Sequence, residues 1–273
     1  MRNGKLILVL LIALNIAVTG LYADDPEAEW NENNYKIMEL MDKGKYDDAL
    51  ELAKENMEFA EESFGNQHSK YATSMINLAS AYEKKSDYDL AQKYYNQGLQ
   101  LHIKNLGEND LAVANVYNKI ANLYVTLGHY SKAEELYNKA LNITKNAVAD
   151  DNPDMAYQYS ELGKFYSSQG EYEKSESYYD QALEILIDSY GENHSDVSRC
   201  LTNLANVYIS QGRYKEAEET LRRSLEIIKE AVGDDHPSTA NTILLMASLK
   251  ERQGKYRESI PLFKQGLEIE EKA

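Results

Sequence analysis

Apolar and small residues recur at intervals of three and four along most of the chain, which is the period of an amphipathic α-helix. Leu78, Ala79 and Tyr82 fall on one face of such a helix, and Tyr95 and Leu99 fall on one face of the next. The chain has only 4 prolines and 14 glycines, so few residues interrupt these segments. The pattern therefore predicts an all-α protein of short helices joined by tight turns.

The helix pairs repeat with a period of 42 residues. Each pair is joined at a Gly-x-Tyr triplet or its variant Ser86-Asp87-Tyr88, and the tyrosines of these turns are Tyr46, Tyr88, Tyr130, Tyr172, Tyr214 and Tyr256. Small residues three positions after each tyrosine keep the same phase. The sequence thus predicts an array over residues 34–273, with repeats at about 34–68, 69–110, 111–152, 153–194, 195–236 and 237–273. Its first repeat is expected to be truncated, because Lys36 stands where later repeats have Leu78 and its equivalents.

The loops between repeats carry helix-capping residues. Glycine ends most of the second helices, and the next helix is preceded by His68, Asp110, Asn152, His194 or His236. Side chains of this kind accept a hydrogen bond from the first turn of a helix. We therefore expect these histidines to cap helices rather than to bind a metal.

These motifs resemble those of the tetratricopeptide repeat. The residues Leu-Ala-x-x-Tyr, Gly-x-Tyr-x-x-Ala and Tyr-x-x-Ala-Leu carry the resemblance, and the 42-residue period is similar to that of the kinesin-light-chain subtype. The resemblance implies a right-handed α-solenoid of about six helix-turn-helix repeats, or about 12 helices, whose first helices line a concave groove. An expected export signal and the lack of a heptad coiled coil distinguish the chain from a kinesin light chain itself.

The first 23 residues have the composition of a secretory signal peptide. Arg2 and Lys5 precede an apolar run from residue 6 to 18, and Ala23 offers a small residue at a cleavage point. We expect a mature protein outside the cytoplasm, either periplasmic or secreted; an uncleaved N-terminal anchor is the alternative. Residues 24–33 are acidic and aperiodic, and we expect them to form a short linker.

Composition excludes several function classes. The chain has 29 basic and 45 acidic residues, and a net charge of −16 disfavours binding to nucleic acid or to an anionic membrane surface. Cys200 is the only cysteine, so no internal disulfide and no multi-cysteine metal site can form. Most of the 22 tyrosines belong to the repeat registers, which indicates packing rather than an aromatic binding cage.

No segment carries a catalytic or cofactor-binding motif. A nucleophile elbow, a phosphate-binding glycine loop and a His-Glu-x-x-His zinc motif are all missing from the sequence. His102 and His129 are expected on other surfaces and not in a catalytic pair, and Cys200 is expected to be a buried thiol. We therefore expect no enzymatic activity, no cofactor and no bound metal.

The first helices are nearly neutral, whereas the second helices are acidic. Residues 69–85 and their equivalents in the later repeats contain eight bases and five acids, whereas equal windows over the second helices contain 17 acids. The surface lined by first helices is therefore open to a neutral or mildly acidic segment. Solubility alone is an alternative reason for the acidic second helices.

Asparagines are concentrated on one face of the first helices. When Leu78 and its equivalents are numbered position 7, positions 2, 5 and 9 share a face, and position 6 borders it. Asparagine is a poor residue for a helix interior, and its amide both donates to and accepts from a peptide backbone. The predicted peptide-binding residues are Asn115, Asn118, Asn122, Tyr157, Lys164, Arg199, Asn203, Asn206 and Asn241.

In related peptide-binding tetratricopeptide proteins, asparagines on this face hold the ligand. The clamp for a C-terminal carboxylate has lysine at position 5, where this chain has Ile76, Asn118, Ser160, Thr202 and Leu244. We therefore expect binding to an internal peptide segment, with Lys164 and Arg199 favouring an acidic side chain.

Two functions are consistent with the sequence. The first is an exported scaffold for protein–protein interaction that binds a peptide segment or partner protein in its groove. The alternative is a structural or assembly subunit of an extracytoplasmic complex that self-associates through the ends of its repeat array. A concentration-dependent mass would favour the second function.

Overall fold

The computed structural model describes residues 25–272, and these residues form twelve α-helices and no strand. The predicted signal peptide, residues 1–23, lies outside the described residues. The helices are α1 (Pro26–Asp42), α2 (Tyr46–Phe64), α3 (Ser69–Lys84), α4 (Tyr88–Leu106), α5 (Leu111–Thr126), α6 (Tyr130–Ala147), α7 (Pro153–Ser168), α8 (Tyr172–Tyr190), α9 (Ser195–Ser210), α10 (Tyr214–Val232), α11 (Pro237–Arg252) and α12 (Tyr256–Lys272). They group into two compact units, one ending at Gly107 and the other beginning at Glu108. The prediction of about 12 helices in helix-turn-helix pairs is confirmed.

The Gly-x-Tyr triplets form the turn within each helix pair. At Gly170 the backbone has φ of +74°, and the Glu171 N–H reaches back to the Tyr166 carbonyl at 3.0 Å. This geometry closes the last turn of the first helix and favours glycine, which lacks a Cβ. Ser86 adopts the same conformation with φ of +61°, and the Asp87 N–H bonds the Tyr82 carbonyl at 2.9 Å. The variant triplet therefore makes the same turn.

All five predicted caps are confirmed. The His194 Nδ1 accepts from the Asp196 N–H at 3.2 Å, and the Asp110 carboxylate accepts from the Ala112 N–H at 2.8 Å. His68, Asn152 and His236 cap their helices through bonds to the N–H two residues on. The rings of these three histidines thus have a structural role as helix caps.

Within each unit the core lies between paired helices and between successive pairs. In the unit from Glu108 onward, Leu162 of α7 is buried with Tyr137 of α6 and Phe165. Gly163 lets the ring of Tyr179 lie against the α7 backbone, because a Cβ there would be 3.0 Å from that ring. Small residues in the first helices therefore admit the large tyrosines of the second helices.

Tyrosine hydroxyls also connect successive repeats. The hydroxyl of Tyr166 donates to Glu134 of the preceding repeat at 2.7 Å, and the hydroxyl of Tyr208 donates to Glu176 at 3.1 Å. In the last repeat Lys250 replaces the tyrosine and bonds Glu218 at 2.6 Å. Each of these acids lies 42 residues from the next, so one register supplies the same contact three times.

The prediction that residues 24–33 form a linker is wrong from Pro26 onward, because α1 begins there. Asp25 caps this helix through the Glu27 N–H at 3.0 Å, and Pro26 occupies its first turn. Trp30 is buried and its indole N–H donates to the Ser74 hydroxyl of α3 at 2.8 Å. Ile37, rather than residue 36, enters the core. The first repeat is therefore not truncated, and its first helix is as long as its equivalents.

None of the helices between residues 25 and 272 is long and apolar enough to cross a membrane.

Candidate functional site

The predicted site residues lie on the first helices of the unit that begins at Glu108. Within this unit α9 contacts the first helices on both sides, α7 and α11, as well as the second helices α8 and α10. A hydrogen bond between Asn118 and Gln158 joins α5 to α7. The first helices α5, α7, α9 and α11 therefore form one surface, which we call the first-helix surface.

Asn118 does not line the open side of this surface. Its side chain is 0% exposed, and its amide donates to the Gln158 Oε1 of α7 at 2.9 Å. Thr202 of α9 and Thr242 of α11 are likewise buried, and their hydroxyl oxygens lie 3.3 Å apart. Position 5 is thus a contact between neighbouring first helices, and the expectation that Asn118 binds a ligand directly is wrong.

Asn122 is also engaged within the fold. Its amide nitrogen donates to the Glu161 Oε2 of α7 at 2.9 Å, and its amide oxygen accepts from the Tyr137 hydroxyl of α6 at 2.7 Å. The side chain joins its own helix pair to the next repeat. Asn118 and Asn122 are therefore explained by folding, contrary to the expectation from helix propensity.

The remaining predicted residues are accessible. Asn115, Tyr157, Arg199 and Asn241 occupy position 2 of four successive first helices, and all four are exposed. Lys164 and Asn206 at position 9 are exposed, and Asn203 at position 6 is half-buried.

An open pocket of about 450 Å³ brings three of these residues together. Asn115 comes from α5, Tyr157 from α7 and Arg199 from α9. The pocket is completed by Lys119, Pro153, Asp154, Ala156, Ser160, Leu186, Tyr190 and Asp196. Lys164, Asn203, Asn206 and Asn241 are not part of it.

Helix α8 also contributes to this pocket, which the registers of the first helices do not predict. Leu186 and Tyr190 belong to this second helix. A register signal was present, since Phe64, Leu106, Val148, Tyr190 and Val232 are spaced 42 residues apart at the ends of second helices. The ring of Tyr190 lies against the ring of His194 just before the start of α9, with the ring centroids 4.4 Å apart.

The charges of the pocket are partly balanced. A nitrogen of the Arg199 guanidinium bonds the Asp196 carboxylate at 2.8 Å, so part of its charge is used within α9. Burial and, to a lesser extent, the charge of Glu161 together raise the pKa of Tyr157 to about 12, although Arg199 and Asn118 oppose the rise. Tyr157 is therefore a neutral phenol at physiological pH, with 38% of its surface exposed. Its hydroxyl can donate a hydrogen bond to a ligand.

Cys200 and His102, which could in principle serve as a nucleophile or a metal ligand, are buried within the fold. Cys200 is buried, its sulfur lies 3.6 Å from the Tyr179 carbonyl oxygen, and burial raises the pKa of its thiol to about 12. A thiol of this kind is a poor nucleophile at neutral pH. His102 is buried beside Thr73 rather than at a surface. No group of three or more potential metal ligands converges within the part of the chain that the structure describes.

A family model for the tetratricopeptide repeat matches residues 30–104, 82–146, 154–230 and 202–272. This chain belongs to the tetratricopeptide repeat family. The predicted family is thereby confirmed over most of the chain. Tetratricopeptide repeats typically form non-catalytic scaffolds for protein–protein interaction.

Solved structures with the same repeat fold include kinesin-light-chain-like proteins. BtubC (BKLC) from P. vanneervenii is 21% identical, with 83% of this chain and 89% of that chain covered and a TM-score of 0.62. A putative kinesin light chain of Podosopora anserina with nearly identical repeats is 19% identical, with 76% and 98% covered and a TM-score of 0.56. No curated protein sequence gives a significant match.

A Rap protein complexed with competence and sporulation factor is a third structure of similar fold. It is 17% identical to this tetratricopeptide repeat protein, with 89% of this chain and 75% of that chain covered and a TM-score of 0.62. At these identities the likeness shows the fold alone.

Proposed function

We propose that this protein is an exported scaffold that binds an internal peptide segment of a partner protein at the first-helix surface of α5, α7 and α9. The observation that carries the proposal is the pocket in which Asn115, Tyr157 and Arg199 meet. The Rap structure with competence and sporulation factor supports ligand binding by an array of this fold.

The pocket offers two kinds of contact to a peptide. The amide of Asn115 can donate to and accept from a peptide backbone, which holds a segment without reading its sequence. Leu186 and the rings of Tyr157 and Tyr190 provide an apolar wall for one side chain of the ligand.

The charges of the pocket do not select for an acidic ligand. Lys119 and Arg199 line it together with Asp154 and Asp196, so its formal charge is zero. Lys164, expected to favour an acidic side chain, lies outside the pocket. A segment with one apolar or aromatic residue fits this lining best.

We expect loss of the exposed pocket residues to weaken partner binding by at least about tenfold, because two polar contacts to the ligand are removed. A photo-crosslinking amino acid at Asn115 first identifies the bound segment in the compartment where the protein resides. The affinity of that segment is then measured for a variant carrying Asn115→Ala and Arg199→Ala.

The matched control carries Asn142→Ala and Arg222→Ala, which remove one exposed asparagine and one exposed arginine from the second helices. The control should bind within about twofold of the native protein, and circular dichroism should show both variants folded. Equal affinity of the pocket variant and the native protein would place the binding site elsewhere. Asn122→Ala is unsuitable for this test, because it breaks two contacts of the fold.

Export is the second part of the proposal, supported by the apolar run between Lys5 and Ala23. We expect the mature chain to begin near Asp24 and to reside outside the cytoplasm. Cell fractionation with N-terminal sequencing of the isolated protein measures both properties. An intact Met1 on protein from the cytosolic fraction would refute export.

A further inference from the structure

Helix α12 presents an apolar stripe that no other described helix covers. Tyr256, Ile260, Phe263 and Leu267 are spaced four, three and four residues apart and therefore share one side of the helix. Tyr256 is 62% exposed, and Ile260 and Leu267 are each 55% exposed. This is a large apolar surface for one helix of an acidic protein.

The same positions are covered in the preceding repeat. Leu221 corresponds to Phe263 and is fully buried with Leu249 of α11. Leu225 corresponds to Leu267 and packs against Ala240 and Ile243 of α11. The stripe is therefore the face with which a second helix of this array normally packs against another helix.

The positions of helix α1 that would receive α12 in head-to-tail stacking are polar. In α9 Val197, Cys200, Leu201 and Leu204 are buried in one cluster with Tyr179, Ala182 and Leu186 of the preceding second helix, α8. The corresponding residues of α1 are Glu29, Glu32, Asn33 and Lys36. Head-to-tail stacking of α12 on α1 of another copy would bury these polar and charged groups without partners, at a high cost in free energy.

Charge along α12 differs between its two halves. Residues 255–264 carry Lys255, Arg257, Glu258 and Lys264, or +2, and residues 265–272 carry Glu268, Glu270, Glu271 and Lys272, or −2. Two such helices attract each other when they run antiparallel, because each half then faces the opposite charge. A parallel pair would place like charges together.

We propose that two copies of this chain form a two-fold symmetric dimer in which the α12 helices pack antiparallel through the apolar stripe. In this register Ile260 of each copy faces Phe263 of the other, and Tyr256 of each copy faces Leu267 of the other. Each contact therefore occurs twice, as two-fold symmetry requires. Lys255 of one copy then lies opposite Glu268 of the other. The dimer contact does not involve the proposed peptide-binding pocket on α5, α7 and α9, so this inference does not depend on the proposed function.

The first experiment measures mass by analytical ultracentrifugation over a range of concentrations, using the chain from Asp24 onward, which contains all twelve described helices. We expect a monomer–dimer equilibrium whose Kd rises at least about tenfold with Ile260→Glu or with Leu267→Glu, because each change buries an unpaired charge. Leu106→Glu, at an exposed leucine that ends α4, is the control and should leave the Kd unchanged. A monomer at every concentration, a dimer insensitive to both α12 changes, or a ladder of larger oligomers would each overturn the proposal.

A charge exchange tests the antiparallel register. Lys255→Glu and Glu268→Lys should each weaken the dimer, because like charges then face each other. The double variant restores opposite charges and should return the Kd to within about threefold of the native value. Failure of this restoration would show that the helices do not pair in this register. Lys255 and Glu268 are exposed, so their replacement should not unfold the protein. Circular dichroism checks that each variant is folded.

Discussion

Replacing Trp30 with alanine is expected to lower the free energy of unfolding of the first unit by about 3–5 kcal/mol. The ring is buried between α1 and α3, and its loss opens a cavity while leaving the Ser74 hydroxyl without the indole N–H. Urea denaturation followed by circular dichroism measures the change, since Trp30 is the only tryptophan and its fluorescence is lost with it.

Two controls separate packing from helix propensity in this experiment. Trp30→Phe keeps most of the buried ring and should cost less than Trp30→Ala. Tyr35→Ala removes a side chain that is 73% exposed on the same helix, and it should change stability by less than about 0.5 kcal/mol. If Trp30→Ala were as mild as Tyr35→Ala, residues 26–33 would be the unstructured linker that their composition predicts.

Replacing Leu162 with alanine should cost about 2–5 kcal/mol of stability in the second unit. Leu162 is 1% exposed and packs with Tyr137 and Phe165 between α6 and α7, so its truncation opens a cavity where two repeats meet. Repeat arrays unfold in steps, so hydrogen exchange of amides in α6 and α7 measures the loss better than a single melting curve.

Leu162→Met is the matched control, since it conserves volume and should cost less than about 1.5 kcal/mol. Comparable losses for the alanine and methionine variants would mean that shape at this position, rather than cavity formation, determines stability. Unchanged exchange in both variants would contradict the placement of Leu162 in the core.

The repeat fold could be predicted because its determinants are local and occur many times. A turn such as that at Gly170 depends on one residue with positive φ, and a cap such as His194 depends on a bond across two residues. Six copies at a fixed spacing of 42 residues turn these weak local signals into a strong one. The true start of helix α1 could not be predicted because the repeat motif is lost at Lys36, while its burial depends on Trp30 and Ile37, which lie outside that motif.

The candidate site was predicted only in part. Helix periodicity correctly placed Asn115, Tyr157 and Arg199 on one surface, since their shared position follows from the repeat length. It also grouped Asn118 with them, although neighbouring first helices meet at that position and bury it. Periodicity gives the direction of a side chain around its own helix, but not the distance to the next helix.

The sequence by itself determined the family, the helix pairs, their turns and their caps, because each rests on interactions within a few residues of the chain. Only the tertiary structure decided which asparagines hold the repeats together and which remain open to a ligand. It alone placed Tyr190 of α8 beside Tyr157 of α7, and it alone showed that the stripe on α12 has no covering helix within residues 25–272. These features depend on contacts between segments far apart in the chain, which the spacing of residues along one helix cannot specify.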